Sequence, residues 1–293
     1  MRFPESRSCH RDTDFSRFAS TPGKGDLLFH YTTMAGFLGI FDSGVIYASH
    51  IQYLNDSAEF TYAINRIQEE LRSLNAAGEF AGDPALAASI AEFEAPRRSQ
   101  LPALYVTSFS ERRDLLSQWR AYVPRGCVSI GFNAAKLAER AADREFWLAQ
   151  CVYEEADQRQ VITKIVREFL GAPASNSPTP AGSLYGRLLN VAPAMKAPSF
   201  KEEAEWRLIS YAASSTDSIR AVGFRTDGSM VIPYCRVPLN QGEGRRVDLA
   251  EAIVVGPTPH PELSKASIAL MMYKRNLRPR PRVENSKVPY RNW

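Results

Sequence analysis

The sequence predicts an α+β protein built on a mixed β-sheet. Short apolar runs typical of strands alternate with helical stripes, but without a regular β-α-β rhythm. A doubly wound parallel sheet would require that rhythm, so a mixed sheet flanked by helices is favoured. The length of 293 residues allows one or two domains.

The composition is that of a globular chain. Hydrophobic residues make up 44% and charged residues 23%, which excludes an extended disordered protein, and the formal net charge is +4. No apolar run reaches the roughly 18 residues that a membrane span needs. The first residues lack the apolar centre of a signal peptide. We therefore expect a cytoplasmic protein that does not bind a membrane.

The chain divides into a predicted flexible arm over residues 1–25 and a single α+β domain over residues 26–293. The arm is polar and without periodicity. Within the domain, residues 171–183 are rich in Gly, Pro and Ser, and we interpret them as a loop insertion rather than a linker.

The first predicted helix shows how helices are recognised in this chain. Met34, Phe37, Leu38 and Phe41 have the spacing i, i+3, i+4, i+7. Thr32 or Thr33 precedes them as an N-cap, and Gly44 follows as a stop signal. By similar patterns, helices are predicted at 60–74, in part of 76–95, at 115–122, 157–169, 184–196 and 261–272.

Strands are predicted where β-branched and aromatic residues cluster between turn signals. Asp227 and Gly228 form the turn of a predicted hairpin. The predicted strands lie at 26–32, 45–49, 104–109, 127–132, 147–153, 203–211, 224–226, 230–234, 251–257 and 283–291.

The segment from Glu203 to Arg207 is the most informative for chemistry. On a strand, Glu203, Glu205 and Arg207 would share one face. Two neighbouring carboxylates can stabilise a developing positive charge, and the arginine can pair with one of them and hold it. A solvent-facing ladder of charges is the alternative interpretation.

Other polar residues at strand ends are weaker candidates. His30 ends the first strand and is either a pocket residue or a hydrogen-bonded structural one. Ser108 and Ser110 share a face of their strand and either bind a ribose or cap the following turn. Asp56 and Glu59 are either catalytic acids or a capping box. The histidines follow no metal-ligand spacing, so no metal is expected.

A basic region near the C-terminal end suggests an alternative function. Residues 274–293 carry seven basic residues and one acid. A non-catalytic module that binds nucleic acid or protein through Arg278, Arg280 and Arg282 is therefore an open alternative.

The motifs, taken in order, resemble a bacterial family. They are FHYT, YLNDSAEF, TSFSERRDLLSQWRAY, GCVSIGF, FKEEAEWRL, IVVGP and SKVPYR, over about residues 26–291. Their order resembles the domain-of-unknown-function family numbered twenty-nine seventy-one. It is also distantly similar to the ADP-ribosyltransferases, which have a histidine on the first strand, serines on a middle strand and Glu-x-Glu on a later one.

The second resemblance implies a split mixed sheet that holds NAD, and transfer of ADP-ribose to a protein or nucleic acid by a toxin, effector or defence protein. Glu205 would bind the 2′-hydroxyl of the nicotinamide ribose, and Glu203 would orient the acceptor. Electrostatic stabilisation of an oxocarbenium-like centre by a fixed carboxylate is consistent with this assignment. The residues that the resemblance places around NAD are His30, Tyr31, Tyr47, Tyr53, Ser108, Ser110 and Arg207, with one of the tyrosines stacked on the nicotinamide ring.

Overall fold

The protein is an α+β fold with one large mixed sheet and helices on both faces. The computed structural model describes residues 22–23, 25–54, 57–95, 104–122, 126–142, 145–171, 183–210, 222–227, 229–240, 247–277 and 280–289. Residues 1–21 of the predicted arm and 172–182 of the predicted insertion lie outside these ranges.

The strands are β1 (Leu27–Thr33), β2 (Val45–His50), β3 (Tyr105–Ser110), β4 (Cys127–Asn133), β5 (Phe146–Gln150), β6 (Glu205–Ser210), β7 (Gly223–Asp227), β8 (Met230–Pro238), β9 (Ala250–Val255) and β10 (Arg282–Asn285). Each strand begins within about two residues of its predicted start, but β5 and β10 end earlier than predicted and β8 ends later.

The helices are α1 (Met34–Ser43), α2 (Ser57–Ala76), α3 (Pro84–Glu94), α4 (Leu116–Tyr122), α5 (Ala134–Ala142), α6 (Glu155–Leu170), α7 (Leu184–Val191) and α8 (Pro261–Lys274). Thr33 caps α1 through its side chain, and Gly44 ends it with a φ of 69°, as predicted. Sequence patterns missed α5, because Leu137 is its only large aliphatic residue and no long stripe forms.

The sheet is mixed because the two strands of one pair run in the same direction. Within the described residues its main path is β10-β9-β4-β1-β3-β2-β8-β7, with β6 paired to β3 and β5 paired to β6. Strands β9 and β10 run parallel, and the other pairs are antiparallel.

Strand β3 is shared by three partners. Strand β6 pairs with β3 along Val106–Ser110. The opposite edge of β3 pairs with β2 at Tyr105 and Val106 and with β1 at Ser110. Strands β1 and β2 therefore diverge from one edge of β3, on either side of residues 107–109.

Alternation along the strands divides the core between two faces. The first face, which includes Leu28, Phe109 and Leu208, packs with α1, α5 and α8. The second face, which includes Val106, Ala149 and Ile209, packs with α2, α3, α6 and α7. A smaller apolar group forms around Tyr31, where Trp119 of α4 packs against the sheet. Among the helices of the described ranges, none has both the length and the apolar composition to span a bilayer.

Candidate functional site

A buried ionic cluster forms on the second face of the sheet, where β6 begins. At its centre is Lys196, whose side chain is 2% exposed. Its Nζ lies 2.9 Å from Glu59 Oε1, 2.7 Å from Glu203 Oε2 and 2.5 Å from Glu205 Oε2. A buried ammonium is tolerated only when it is paired in this way.

Arg207 is the second cation of the cluster and is also buried. Its Nε donates to Glu205 Oε1 at 2.7 Å, one Nη donates to Glu205 Oε2 at 3.1 Å, and the other donates to the Pro193 carbonyl at 2.8 Å. It also forms a short contact with Glu59. The ionic cluster, defined as Glu59, Lys196, Glu203, Glu205 and Arg207, has three carboxylates and two cations, so its formal charge is −1.

Glu203 lies in the ionic cluster, but in a backbone conformation that the sequence did not predict. The predicted strand at 203–211 begins only at Glu205, because a 3-10 turn over Pro198–Glu203 precedes it. Ala204 follows this turn with a φ of 42°, which breaks the alternation expected of a strand. The expected single face of Glu203, Glu205 and Arg207 is therefore wrong for Glu203, although its carboxylate still meets the other two residues at Lys196.

The two carboxylates of the Glu-x-Glu motif have different environments. Burial would raise the pKa of Glu205, but Arg207 and Lys196 prevail and lower it to about 2. Burial raises the pKa of Glu203, and the hydrogen bond from Lys196 only partly opposes this. The Glu203 side chain is also the more accessible, at 20% against 6% for Glu205. The site thus pairs a permanently charged carboxylate with one suited to exchanging a proton.

Groups from the connection after β5 and from α6 fix the geometry around the ionic cluster. The Tyr153 hydroxyl accepts a hydrogen bond from the Glu205 backbone N–H at 2.8 Å. Gln158, which is fully buried, donates to the backbone carbonyls of Lys196 and Val152, each at 2.8 Å, and accepts from the Tyr62 hydroxyl at 3.0 Å. These bonds hold the segment that carries Lys196 against α6.

Sequence reasoning missed Lys196 and Gln158. Lys196 stands between Met195 and Ala197 in an otherwise apolar run, and a lysine in such a place is a usable signal of a buried cation. Gln158 lies on a helix among polar residues and gave no such signal.

His30 lies on the other face of the sheet from the ionic cluster. Its Nδ1 is 2.9 Å from the Ser108 carbonyl, which can only accept, so Nδ1 carries the proton. Its ring lies 5.7 Å from that of Phe109, in the core on the first face. Burial lowers the pKa of His30, and the bond to Ser108 only partly opposes this. The structure therefore does not bring His30 together with Glu205.

Tyr31 shares a face with Glu205 but is built into the core. Its hydroxyl donates to the Arg112 carbonyl at 2.6 Å and accepts from the Leu115 N–H at 3.0 Å. Its ring meets Trp119 edge to face at 4.7 Å and is 4% exposed. No ring face is left on which a nicotinamide could stack.

The two serines of β3 lie beside the ionic cluster. Ser110 donates to the Glu203 carbonyl at 2.6 Å and accepts from the Arg112 N–H at 2.9 Å, so it positions the backbone of Glu203. Ser108 is half-buried and pairs with Arg207 in the β3–β6 ladder.

The remaining two tyrosines differ in accessibility. Tyr47 on β2 is 41% exposed and stacks on Tyr234. Tyr53 is half-buried in a 3-10 turn and meets His50 edge to face at 5.5 Å. Of the three tyrosines predicted around NAD, Tyr47 is the most exposed to solvent.

The part of the chain that the structure describes contains no group of three or more Asp, Glu, His or Cys side chains placed to hold a metal ion. The ammonium of Lys196 lies between the three carboxylates of the ionic cluster. Asp56, considered with Glu59 as an acid or cap, lies outside the described residues.

The basic C-terminal region is only partly described. Arg280 lies over the Tyr273 ring at 4.6 Å, and Arg282 is 80% exposed and 3.6 Å from Glu284. Arg278 lies outside the described ranges.

Comparison with known proteins supports the resemblance to the domain-of-unknown-function family. No curated protein matches the chain. A family model matches one segment of the chain, which runs from α4 to β6. This segment contains four of the five residues of the ionic cluster, all except Glu59. Residues 118–208 match the model of a family described as a protein of unknown function (DUF2971).

Proposed function

We propose that the protein is an ADP-ribosyltransferase-like enzyme that uses NAD as a substrate and modifies a protein or nucleic acid. The main support is the pair Glu203 and Glu205, held by one lysine, with pKa values shifted in opposite directions. Two carboxylates in such different environments are suited to two different roles in one reaction.

In this reaction an acceptor hydroxyl or amine attacks C1′ of the nicotinamide ribose. The bond from C1′ to the nicotinamide nitrogen breaks, and its electron pair neutralises the positive charge of the ring. Glu205, charged at all ordinary pH values, stabilises the positive charge that develops on the ribose. Glu203, the accessible carboxylate, takes the proton that the acceptor loses.

The divergence of β1 and β2 from β3 supports a cleft beside this pair, as the resemblance to ADP-ribosyltransferases implies. Thr107 lies in the stretch of β3 that pairs with β6 but with neither β1 nor β2, and its hydroxyl donates to the Tyr47 carbonyl at 2.8 Å. Tyr47 is thus separated from β6 by the width of β3, about 10 Å at a strand spacing near 4.8 Å. We assign the stacking role to Tyr47, since Tyr31 is enclosed.

Incubation of the full chain with labelled NAD and cell extract tests the proposal. We expect label transfer to a macromolecule and release of nicotinamide. Glu203→Gln should lose at least about a hundredfold in rate, the usual contribution of a general base. Glu202→Gln is the matched control, because Glu202 is the exposed neighbour in the same turn.

Two results would count against this assignment. Absence of both transfer and nicotinamide release from a folded sample would overturn the proposed activity. Equal rates for Glu203→Gln and Glu202→Gln would retain the activity but remove Glu203 from it.

A binding module that uses the basic C-terminal region is a second candidate, supported by the exposure of Arg280 and Arg282. Binding of nucleic acid should then weaken steeply with salt, and the doubly substituted Arg280→Gln, Arg282→Gln chain should lose it. Salt-independent binding would contradict this candidate.

A further inference from the structure

A second polar surface lies on the β2, β7 and β8 end of the sheet. The rings of Tyr47 and Tyr234 stack there with centroids 4.0 Å apart and planes inclined by 23°. Tyr47 is 41% exposed, so its ring is open to solvent beyond the stack. The pair forms a flat aromatic platform rather than part of the core.

The strand register places the neighbours of this pair on the same face. Tyr47 is opposite Arg236, and Ser49 is opposite Tyr234. Tyr234 is opposite Gly223 on β7, where a Cβ would lie only 2.7 Å from Tyr234 Cζ. The absence of a side chain at position 223 thus leaves room for the Tyr234 ring.

Two arginines give this surface a positive charge. Arg225 donates from an Nη to Ser49 Oγ at 3.1 Å, and its Nε is buried with no hydrogen-bond partner in the described part of the chain. Arg236 is exposed. Neither guanidinium lies within ion-pair distance of a described carboxylate. An anionic ligand would neutralise the charges of Arg225 and Arg236 and accept a hydrogen bond from the buried Nε of Arg225.

We infer that this surface, defined as Tyr47, Ser49, Arg225, Tyr234 and Arg236, binds a nucleotide. The base stacks on the open side of Tyr47, since every nucleobase has a flat face that an aromatic ring accepts. The phosphate pairs with the guanidinium groups of Arg225 and Arg236, whose planar donors suit phosphate oxygens. A free nucleotide and a nucleotide within a single strand share this chemistry.

The inference shares Tyr47 with the proposed NAD site, but it does not depend on the transfer reaction taking place. It makes no use of Glu203 or Glu205, and the probes below contain no nicotinamide. A nucleotide can therefore bind here whether or not the ionic cluster is catalytic, and Glu203→Gln should leave the binding unchanged.

The test is calorimetric titration of the full chain with AMP, with inorganic phosphate and with a single-stranded hexanucleotide. We expect saturable binding of AMP or of the hexanucleotide, and weaker binding of phosphate. Tyr47→Ala should weaken the binding about tenfold or more, as loss of one stacked base does. Arg225→Gln and Arg236→Gln should each weaken it and reduce its dependence on salt.

Phe224→Ala is the matched control. Phe224 is 67% exposed on β7, but it lies on the opposite face from Arg225. This substitution should leave the affinity as in the wild type. Tyr47→Phe, which keeps the ring and removes the hydroxyl, should retain binding even if Tyr47→Ala proves too unstable to titrate.

The probes separate the two sources of the nucleotide. Tighter binding of the hexanucleotide with a steep salt dependence identifies a single strand, and equal or better binding of AMP identifies a free nucleotide. The inference is overturned if neither probe binds, if phosphate binds as tightly as AMP, or if Phe224→Ala weakens binding as much as Tyr47→Ala.

Discussion

Glu203 and Glu205 are joined through a single ammonium group, since Lys196 Nζ lies 2.7 Å from Glu203 Oε2 and 2.5 Å from Glu205 Oε2. One carboxylate comes from a 3-10 turn and the other from the first residue of β6. This arrangement keeps Glu205 charged and leaves Glu203 partly open to solvent, so the same contacts that stabilise the fold also prepare the site.

Replacing Lys196 should strongly destabilise the protein. Lys196→Met leaves the three buried carboxylates of the ionic cluster with one of its two cations, Arg207, and we expect a loss of about 3–5 kcal/mol in the free energy of unfolding. Lys201→Met is the control, because its pair with Glu154 is exposed on both sides and its loss should change the free energy of unfolding little. Denaturant unfolding of both variants measures the difference. Equal losses would contradict the burial of the ionic cluster.

Glu205 should make stability depend on acid pH. Its pKa is about 2 in the folded protein, against about 4.3 in an unfolded chain. A lowered folded-state pKa contributes stability above the unfolded value, and this contribution is lost as the pH falls toward the folded value. The difference in unfolding free energy between wild type and Glu205→Gln should therefore shrink by about 2 kcal/mol between about pH 7 and pH 3.

Denaturant titrations at several pH values check this expectation, and a difference that stays constant would contradict it. The same contacts mean that Glu205→Gln costs stability even at neutral pH, because Lys196 and Arg207 both lose a charged partner. Glu203→Gln is therefore the cleaner probe of catalysis.

His30 should add a second pH dependence at milder acidity. Its pKa is lowered by burial, so below about pH 6.5 the unfolded chain takes up a proton that the folded one resists. Stability should fall with decreasing pH by up to about 1.4 kcal/mol per unit from this group. His30→Asn, which retains a donor for the Ser108 carbonyl, should lose that slope.

His260→Asn is the control for this measurement, since His260 is exposed just before α8. Its slope between about pH 6.5 and pH 5 should remain that of the wild type. A wild-type slope in His30→Asn would show that another group titrates there.

Replacing Gly131 by alanine should lower the stability of the protein, whereas replacing Gly39 by alanine should raise it. A Cβ at Gly131 on β4 would lie 2.7 Å from Phe29 Cε1 and 3.2 Å from the Ala252 Cβ, so Gly131→Ala should cost about 1–3 kcal/mol through overpacking. Gly39 in α1 has nothing within 4 Å of such a Cβ, so Gly39→Ala should stabilise by about 0.5–1 kcal/mol. Thermal unfolding of the pair checks both signs, and a stabilising Gly131→Ala would contradict the packing described.

Local signals predicted much of the fold. The cap at Thr33, the stop at Gly44 and the β7–β8 hairpin follow from spacing and turn residues that act within a few positions. The shared face of Glu205 and Arg207 follows from strand alternation in the same way.

The partners of these residues were not predictable by the same means. The separation of His30 from Glu205 depends on the register that aligns Phe29 with Ser110 and Ser110 with Glu205, and no local pattern encodes that alignment. Lys196 meets the carboxylates only because the segment around it folds back onto α6, where Gln158 donates to the Lys196 carbonyl. Tertiary pairing, rather than propensity, decides which polar groups meet.

The position of β3 also has a consequence for how the chain folds. Its ladder partners are Phe29 on β1, Ser49 on β2 and residues from 205 onward on β6, so the middle of the sheet closes only when distant stretches of polypeptide meet. High contact order slows the search for the native state, because loop entropy is lost before these contacts form. We expect the rate-limiting step of folding to be the docking of β3 between these partners, with the helices already largely formed.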